Sequence, residues 1–483
     1  MKKYSVYILA LAALMTGSCQ KDKLTPAPAT HIPDFKIFDN PERVGNLLNG
    51  VYSIAKGGAF LGGKMLVAND VRGEDFTNIT SNSVTLNLAW RMTSNGTSQE
   101  VLETWSRGYR SINNANVFID GMTAKGSQVV GEANGKKFIA EAKFIRALSY
   151  FYLLQLYARP YWDDNGKKLG LVIYTEGHTS LGDYNRARST VAETYAQILK
   201  DLNEAEAALP AAVAGAPASI THATASAAVA LKTRVYLYMG NYPKVIEEAN
   251  KIVSAAAPFV SPQGYQLNAD VTKVFAVDAK SVTKESIFSF PFTSNPGDFP
   301  ETQTQLGQYF NAEFMMDTTG IGIYSDASWK VDTDARRKFI RKADGTKLYF
   351  WNKFSTGSPY TDWVPVIRYA EILLNLAEAK ARISGVDAQA VALLNAVRNR
   401  SDATVTYTTG SFADGPALLA AIAKEKHIEF IGEGMRGMEI TRLGIPFPAK
   451  AGGIATVPAA SNKYIWPISA DELVYNKLCV DNL

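Results

Sequence analysis

Between residues 190 and 210 the chain carries its sharpest periodic signal. Val191, Tyr195, Ile198, Leu202, Ala205 and Leu209 recur at steps of four and three, which sets one apolar stripe along a 3.6-residue helix. Thr190 with Glu193 three residues later is a capping box that starts the helix, and Pro210 stops it. Asp201, Glu204 and Glu206 are expected off the stripe, on the solvated side. A helix with one apolar face has to lay that face on another element, so the pattern calls for helices packed on helices.

Further segments repeat this plan in pairs. Ala228, Leu231, Val235 and Tyr238 form one stripe, and Val245, Ala249 and Ile252 the next. Between them, Gly240 ends the first helix and Pro243 suits the first turn of the second. The run Gly240-Asn241-Tyr242 followed by Lys244 and Ala249 is close to a tetratricopeptide turn. Residues 366–383 bear Ala370, Leu373, Ala377 and Ala381; the chain turns at Ser384-Gly385 and returns with Val391, Leu394 and Val397. Residues 98–122 and 132–157 read as another pair. No strict 34-residue period holds, so the expected fold class is mainly α, a tetratricopeptide-like scaffold of helical hairpins and not a regular array.

Two stretches break the periodicity. Residues 255–364 are rich in Gly, Pro, Asn, Asp and Thr, and hold 19 of the chain's Phe, Tyr and Trp residues. Phe288, Phe290 and Phe292 alternate as in a strand. Residues 57–97 are likewise irregular and polar, with Asp70, Asp75, Asn78, Asn82 and Trp90. Irregular segments on a rigid scaffold are where binding residues concentrate. The expected organisation is a scaffold over about 98–254 and 364–483, with ligand-facing regions at about 57–97 and 255–363, all within a body of residues 35–483.

Ahead of this body, Lys2 and Lys3 precede an apolar run from Val6 to Met15 and then Thr16-Gly17-Ser18-Cys19. A basic start, a short apolar stretch and small residues at the cut describe a secretory signal over residues 1–18. Cys19 directly after Gly-Ser fits a bacterial lipobox, whose thiol is acylated. The apolar run is too short to span a bilayer, which needs about 20 residues. Residues 19–34, with Pro26-Ala27-Pro28-Ala29, read as an extended lipidated tether. With Cys19 lipidated, Cys479 has no partner in the chain, and no disulfide framework holds the fold. Lys and Arg number 50 against 46 Asp and Glu, a near-neutral balance that argues against a nucleic-acid partner.

Catalytic signatures are missing. The sequence has no HExxH, GxSxG or GxxxxGK[ST], and His31, His178, His222 and His427 lack metal-ligand spacing. Gly432-Glu433-Gly434-Met435-Arg436-Gly437 matches GxGxxG but follows a helical run, where a dinucleotide site requires a preceding strand. Glu425, Glu429 and Glu433 recur at four-residue spacing near Arg436, Glu439 and Arg442. A glycosidase carboxylate pair is one reading; an ion-paired network fixing this helix to the core is favoured. Glu371 and Glu378 beside Arg368, and Arg398 with Arg400, take the same structural reading.

The chain resembles the SusD/RagB family of bacterial surface lipoproteins. The resemblance rests on Arg146 through Tyr157 with Pro160, Arg188 through Tyr195 to Asp201-Leu202 and Leu209-Pro210, and Ala230 through Leu237. It continues in Asp334 with Arg336, Arg368 through Ala379, Leu394-Asn395 with Val397-Arg398 and Arg400, and Glu425 through Phe430 with Gly434, Arg436 and Arg442. Ile465-Trp466-Pro467-Ile468 with Glu472-Leu473 resembles the family's closing motif. Ala158-Arg159 and Lys426 depart from the usual residues, and the chain stops at Asp481-Asn482-Leu483, short of a longer tail. The resemblance implies a non-catalytic, surface-exposed outer-membrane lipoprotein. It would capture nutrient as a lid on a SusC-like TonB-dependent transporter, and Lys21-Asp22-Lys23 is similar to the family's charged export signal.

Sugars offer apolar C–H faces to flat rings and hydroxyls to Asp, Asn, Arg and Gln. The residues expected to bind glycan are Asp75, Asn78 and Trp90 from the first irregular region, with Tyr309, Tyr324 and Trp329 from the second; Trp105 and Trp466 are assigned to the core. A peptide ligand on the same architecture is the alternative, and a periplasm-facing scaffold or an enzyme is a third reading. No cofactor is expected, and a structural calcium ion is left open.

Overall fold

A computed structural model describes residues 34–300, 303 and 305–482. The expected signal segment, Cys19 and the tether through residue 33 lie outside the described residues. Eleven of the helices carry the argument. They are α1 (Pro41–Ala55), α2 (Lys64–Val71), α3 (Gln99–Gly121), α4 (Glu132–Tyr157), α5 (Val191–Ala208) and α6 (Ala225–Tyr238). The rest are α7 (Tyr242–Ala249), α8 (Tyr369–Ser384), α9 (Ala388–Ser401), α10 (Gly415–Glu429) and α11 (Arg436–Leu443).

The molecule is mainly helical. From α3 to α9 each of these helices packs on the next, except that α8 also receives α10; α1 leans on α3. Neighbours in sequence thus bury one another's stripes, as the paired spacing requires. The capping box of α5 is formed in both directions, Glu193 N–H to Thr190 Oγ1 at 3.1 Å and Thr190 N–H to the Glu193 carboxylate at 2.7 Å. Gly240 turns the chain between α6 and α7 at φ +69°, a conformation that favours glycine. Helix α4 lies at the centre: every residue from Phe144 to Tyr157 is buried, so its final turns are covered on all sides.

One expectation is corrected on α5. Glu204 and Glu206 are part-exposed, but Asp201 is fully buried. Its carboxylate accepts Arg146 Nε at 2.8 Å and Nη2 at 2.6 Å, a two-pronged clamp between α4 and α5. Periodicity places Asp201 off the stripe, yet α4 covers that side too.

Among the described residues are six short strands in three antiparallel pairs, five of them in the irregular regions and the sixth just after the second. β1 (Phe76–Asn78) pairs with β3 (Phe314–Met316), Phe76 opposite Met316. β2 (Ser286–Phe290) pairs with β6 (Val364–Arg368), and β4 (Ile340–Lys342) with β5 (Tyr349–Trp351). The alternation of Phe288, Phe290 and Phe292 marked β2 in the right place. However, all five β2 residues are buried, because helices pack against it, and Phe292 falls beyond its end.

Glu425, Glu429 and Glu433 form the expected structural network. Arg336 bonds Glu425 and Glu429, Arg368 bonds Glu285, Glu429 and Glu433, Arg400 bonds Glu285 and Glu429, and Lys353 bonds Glu433. Burial alone would raise the Glu429 carboxyl, but Arg400, Arg368 and Arg336 around it hold it well below the usual range. Glu371 pairs with Arg234 and Glu378 with Lys426 and Arg442. The GxGxxG run is the turn from α10 into α11. Gly432 and Gly434 sit at φ +82° and +77°, and the Gly434 and Arg436 N–H groups each donate to Asp70 of α2 at 3.0 Å.

Candidate functional site

The β1–β3 pairing gathers the two irregular regions. Asp75, just before β1, accepts the Ile323 N–H at 3.0 Å and lies 2.6 Å from His427 Nε2. Burial would raise its carboxyl, but His427 and Arg436 outweigh that and lower it. Asn78 Oδ1 accepts from Ser81 N–H and Asn87 Nδ2 at 2.8 and 2.9 Å. Trp90 donates its indole N–H to Phe76 O at 2.8 Å, and Tyr309 its hydroxyl to Gln303 O at 2.7 Å. Arg337 lies 3.9 Å from the Trp329 ring centre and 5.2 Å from that of Tyr324.

These residues do meet in one part of the molecule, but not as a sugar platform. Asp75, Asn78, Trp90, Tyr309 and Trp329 are buried, and only Tyr324 is partly open. A ring stacks a sugar only through an uncovered face, and these rings serve the packing instead. The expected ligand-binding set is corrected accordingly: five of the six are packed in the interior.

One open feature beside this region is a cleft of about 470 Å³. On one side stand Gly57, Gly58 and Ala59 after α1, Lys64 at the start of α2, and Gln99, Glu103 and Arg107 along α3. On the other stand Val84, Phe299, Pro300 and Gln303. Buried Lys64 donates to Glu103 Oε2 at 2.9 Å, and Gln99 Nε2 to Glu103 Oε1 at 2.7 Å. Burial raises the Glu103 carboxyl, but these two bonds together with the charges of Lys64 and Arg107 outweigh it and lower the group. The outer wall is pinned on both flanks. Lys56 bonds Asp298 at 2.5 Å and Pro291 O at 2.7 Å, while Gly63 and Gln305 form an isolated β-bridge. A carboxylate, two carboxamides, a guanidinium and a half-buried phenyl ring therefore face a space that fits a small polar ligand.

Gln99, Glu103 and Arg107 escaped the sequence reading because they belong to a scaffold helix. Their four-residue spacing puts them on one face, and that polar row was the available signal.

Among the described residues, one group has metal-ligand proximity: Glu74, Asp75 and His427, with donor atoms within 4.8 Å of one another. Arg436 occupies the Glu74 carboxylate, and Asp75 is shared between His427 and the Ile323 amide. Calcium takes six to eight oxygen ligands, so this charge-paired set with an imidazole does not suit it.

A family described as starch-binding and associating with the outer membrane matches residues 24–237, and the SusD family matches residues 328–447. A SusD superfamily protein from Bacteroides fragilis has the same fold, with a TM-score of 0.82 and 36% identity over 92% of this chain and 99% of that one. The chain belongs to the SusD family. SusD-like protein P2 of Formosa agariphila is 24% identical over 100% of this chain and 99% of its own length. A laminarin-binding SusD-like protein aligns over 92% of this chain and 99% of that one, with 23% identity and a TM-score of 0.70. The cleft's α3 wall lies inside the first matched stretch of this SusD-family chain, and Phe299 to Gln303 lie between the two. Among the described residues no helix is long and apolar enough to cross a membrane.

Proposed function

We propose that this protein binds glycan at the cell surface without cleaving it and passes it to a SusC-like TonB-dependent transporter. Lipid on Cys19 would hold it at the outer membrane. The observation that carries the reading is the polar cleft between α3 and Phe299, Pro300 and Gln303, where both irregular regions meet on the helical scaffold. Hydroxyls can bond Glu103, Gln99, Gln303 and Arg107, while Phe299 can cover a C–H face. Membership of a family described as starch-binding, and the laminarin-binding relative, support glycan as the ligand class.

Binding is tested by calorimetry with laminarin, soluble starch, xylan and mannan, and with a peptide pool as the competing ligand. Binding to at least one polysaccharide is expected, and Arg107→Ala with Gln99→Ala should weaken it tenfold or more, in line with the roughly 1.5–3 kcal/mol of a hydrogen bond to a charged group. Binding confined to the peptides, or release of shorter sugars by the purified protein, would overturn the reading. Protease treatment of intact cells should remove the protein; full protection would overturn its surface placement.

A further inference from the structure

Six of the seven tryptophans are no more than 6% exposed, whereas Trp162 is 43% exposed. A single exposed apolar residue needs no explanation by itself. Trp162, however, is fixed in place. Its indole N–H donates to Thr441 O in α11 at 2.9 Å. Gly444, at φ +68°, lies so close that a Cβ there would come within 3.1 Å of the ring. Arg159 sits beside the ring, 6.0 Å from its centre, and bonds Asp163 at 2.5 Å. These contacts hold the ring at the surface with part of it open to solvent.

Trp162 borders a cleft of about 630 Å³ whose rim includes Asp163, Lys168, Asn462 and Asn482. None of its lining residues is shared with the cleft at α3. A held aromatic ring beside a carboxylate, an exposed ammonium and carboxamides is the arrangement that a pyranose needs. The volume lies within the range of small-molecule sites.

We propose that this cleft is a second, separate glycan subsite, in which a sugar ring stacks on Trp162 and its hydroxyls bond Asp163, Lys168 and Asn462. The inference rests on the glycan reading of the protein. Two subsites on one body would hold a long polysaccharide more firmly than either alone, because the second contact forms within the complex.

The test uses the full-length protein, iodide quenching of tryptophan fluorescence, and affinity electrophoresis in gels containing laminarin, soluble starch, xylan or mannan. Iodide should quench mainly Trp162, since the other six rings are shielded. A polysaccharide that retards the wild type should protect that signal. Trp162→Phe should lose the quenchable component and, like Lys168→Ala at an exposed position, migrate with retention weakened at least threefold. Unchanged quenching at saturating polysaccharide, or full retention of both variants, would overturn the second subsite while leaving the glycan reading intact. No retardation of the wild type in any gel, with binding to the peptide pool alone, would overturn both.

Discussion

Asp70 shows how one buried carboxyl can make a fold sensitive to pH. It receives the Gly434 and Arg436 N–H groups that close the turn into α11. Burial nevertheless dominates and pushes its pKa up from 3.8 to about 7, the two backbone bonds only moderating the rise. A folded-state pKa above the unfolded value means that the stabilisation is complete below about pH 4 and is lost as pH rises through about 7. The difference amounts to at most roughly 4 kcal/mol at 1.36 kcal/mol per pH unit. Urea midpoints measured from pH 4 to pH 8 should therefore fall in the wild type relative to Asp70→Asn. Parallel curves for the two proteins would show that Asp70 does not titrate in that window.

At the scale of elements, the Arg146–Asp201 clamp joins the two helices that share the most extensive packing, α4 and α5. Removing one partner leaves the other charged and buried, which costs about 3–5 kcal/mol. Arg146→Met should lower the unfolding free energy by that order in denaturant titration, whereas Lys136→Met, at an exposed i,i+4 pair with Glu132, should change it by less than about 0.5 kcal/mol. This contrast also marks what could be read from sequence. The stripe from Val191 to Leu209 and its Thr190 cap were legible because period and capping are local properties. That Asp201 faces α4 was not, since it depends on which neighbour covers the helix flank. Trp90, Tyr309 and Trp329 misled for the same reason: an aromatic residue in an irregular stretch packs inward or faces a ligand according to contacts formed far along the chain. Gln99, Glu103 and Arg107 were overlooked because a binding row on a scaffold helix has the composition of an ordinary solvated face.

Across the whole molecule, the charged network around Arg368 and Glu429 couples parts that sequence order separates. Arg368 closes β6, Glu285 precedes β2, Arg400 ends α9, Glu429 and Glu433 belong to α10 and its exit, and Arg336 and Lys353 come from the second irregular region. With so many buried charges satisfied jointly, neither the scaffold nor the irregular region should melt first. Calorimetry should show one transition for the wild type. Arg368→Met, which strips Glu285, Glu429 and Glu433 of a shared partner, should lower it by several kcal/mol and let the aromatic-rich region loosen separately. Two wild-type transitions would contradict that coupling.

The anchoring of Asp298 by Lys56 and of Gln305 by Gly63 has a consequence for how any guest arrives. With Asp298 and Gln305 both tied back to the scaffold, the spacing of those two anchor points is set by the fold before a guest arrives. Selection would then happen at the doorway, by girth, before a single hydroxyl has been recognised.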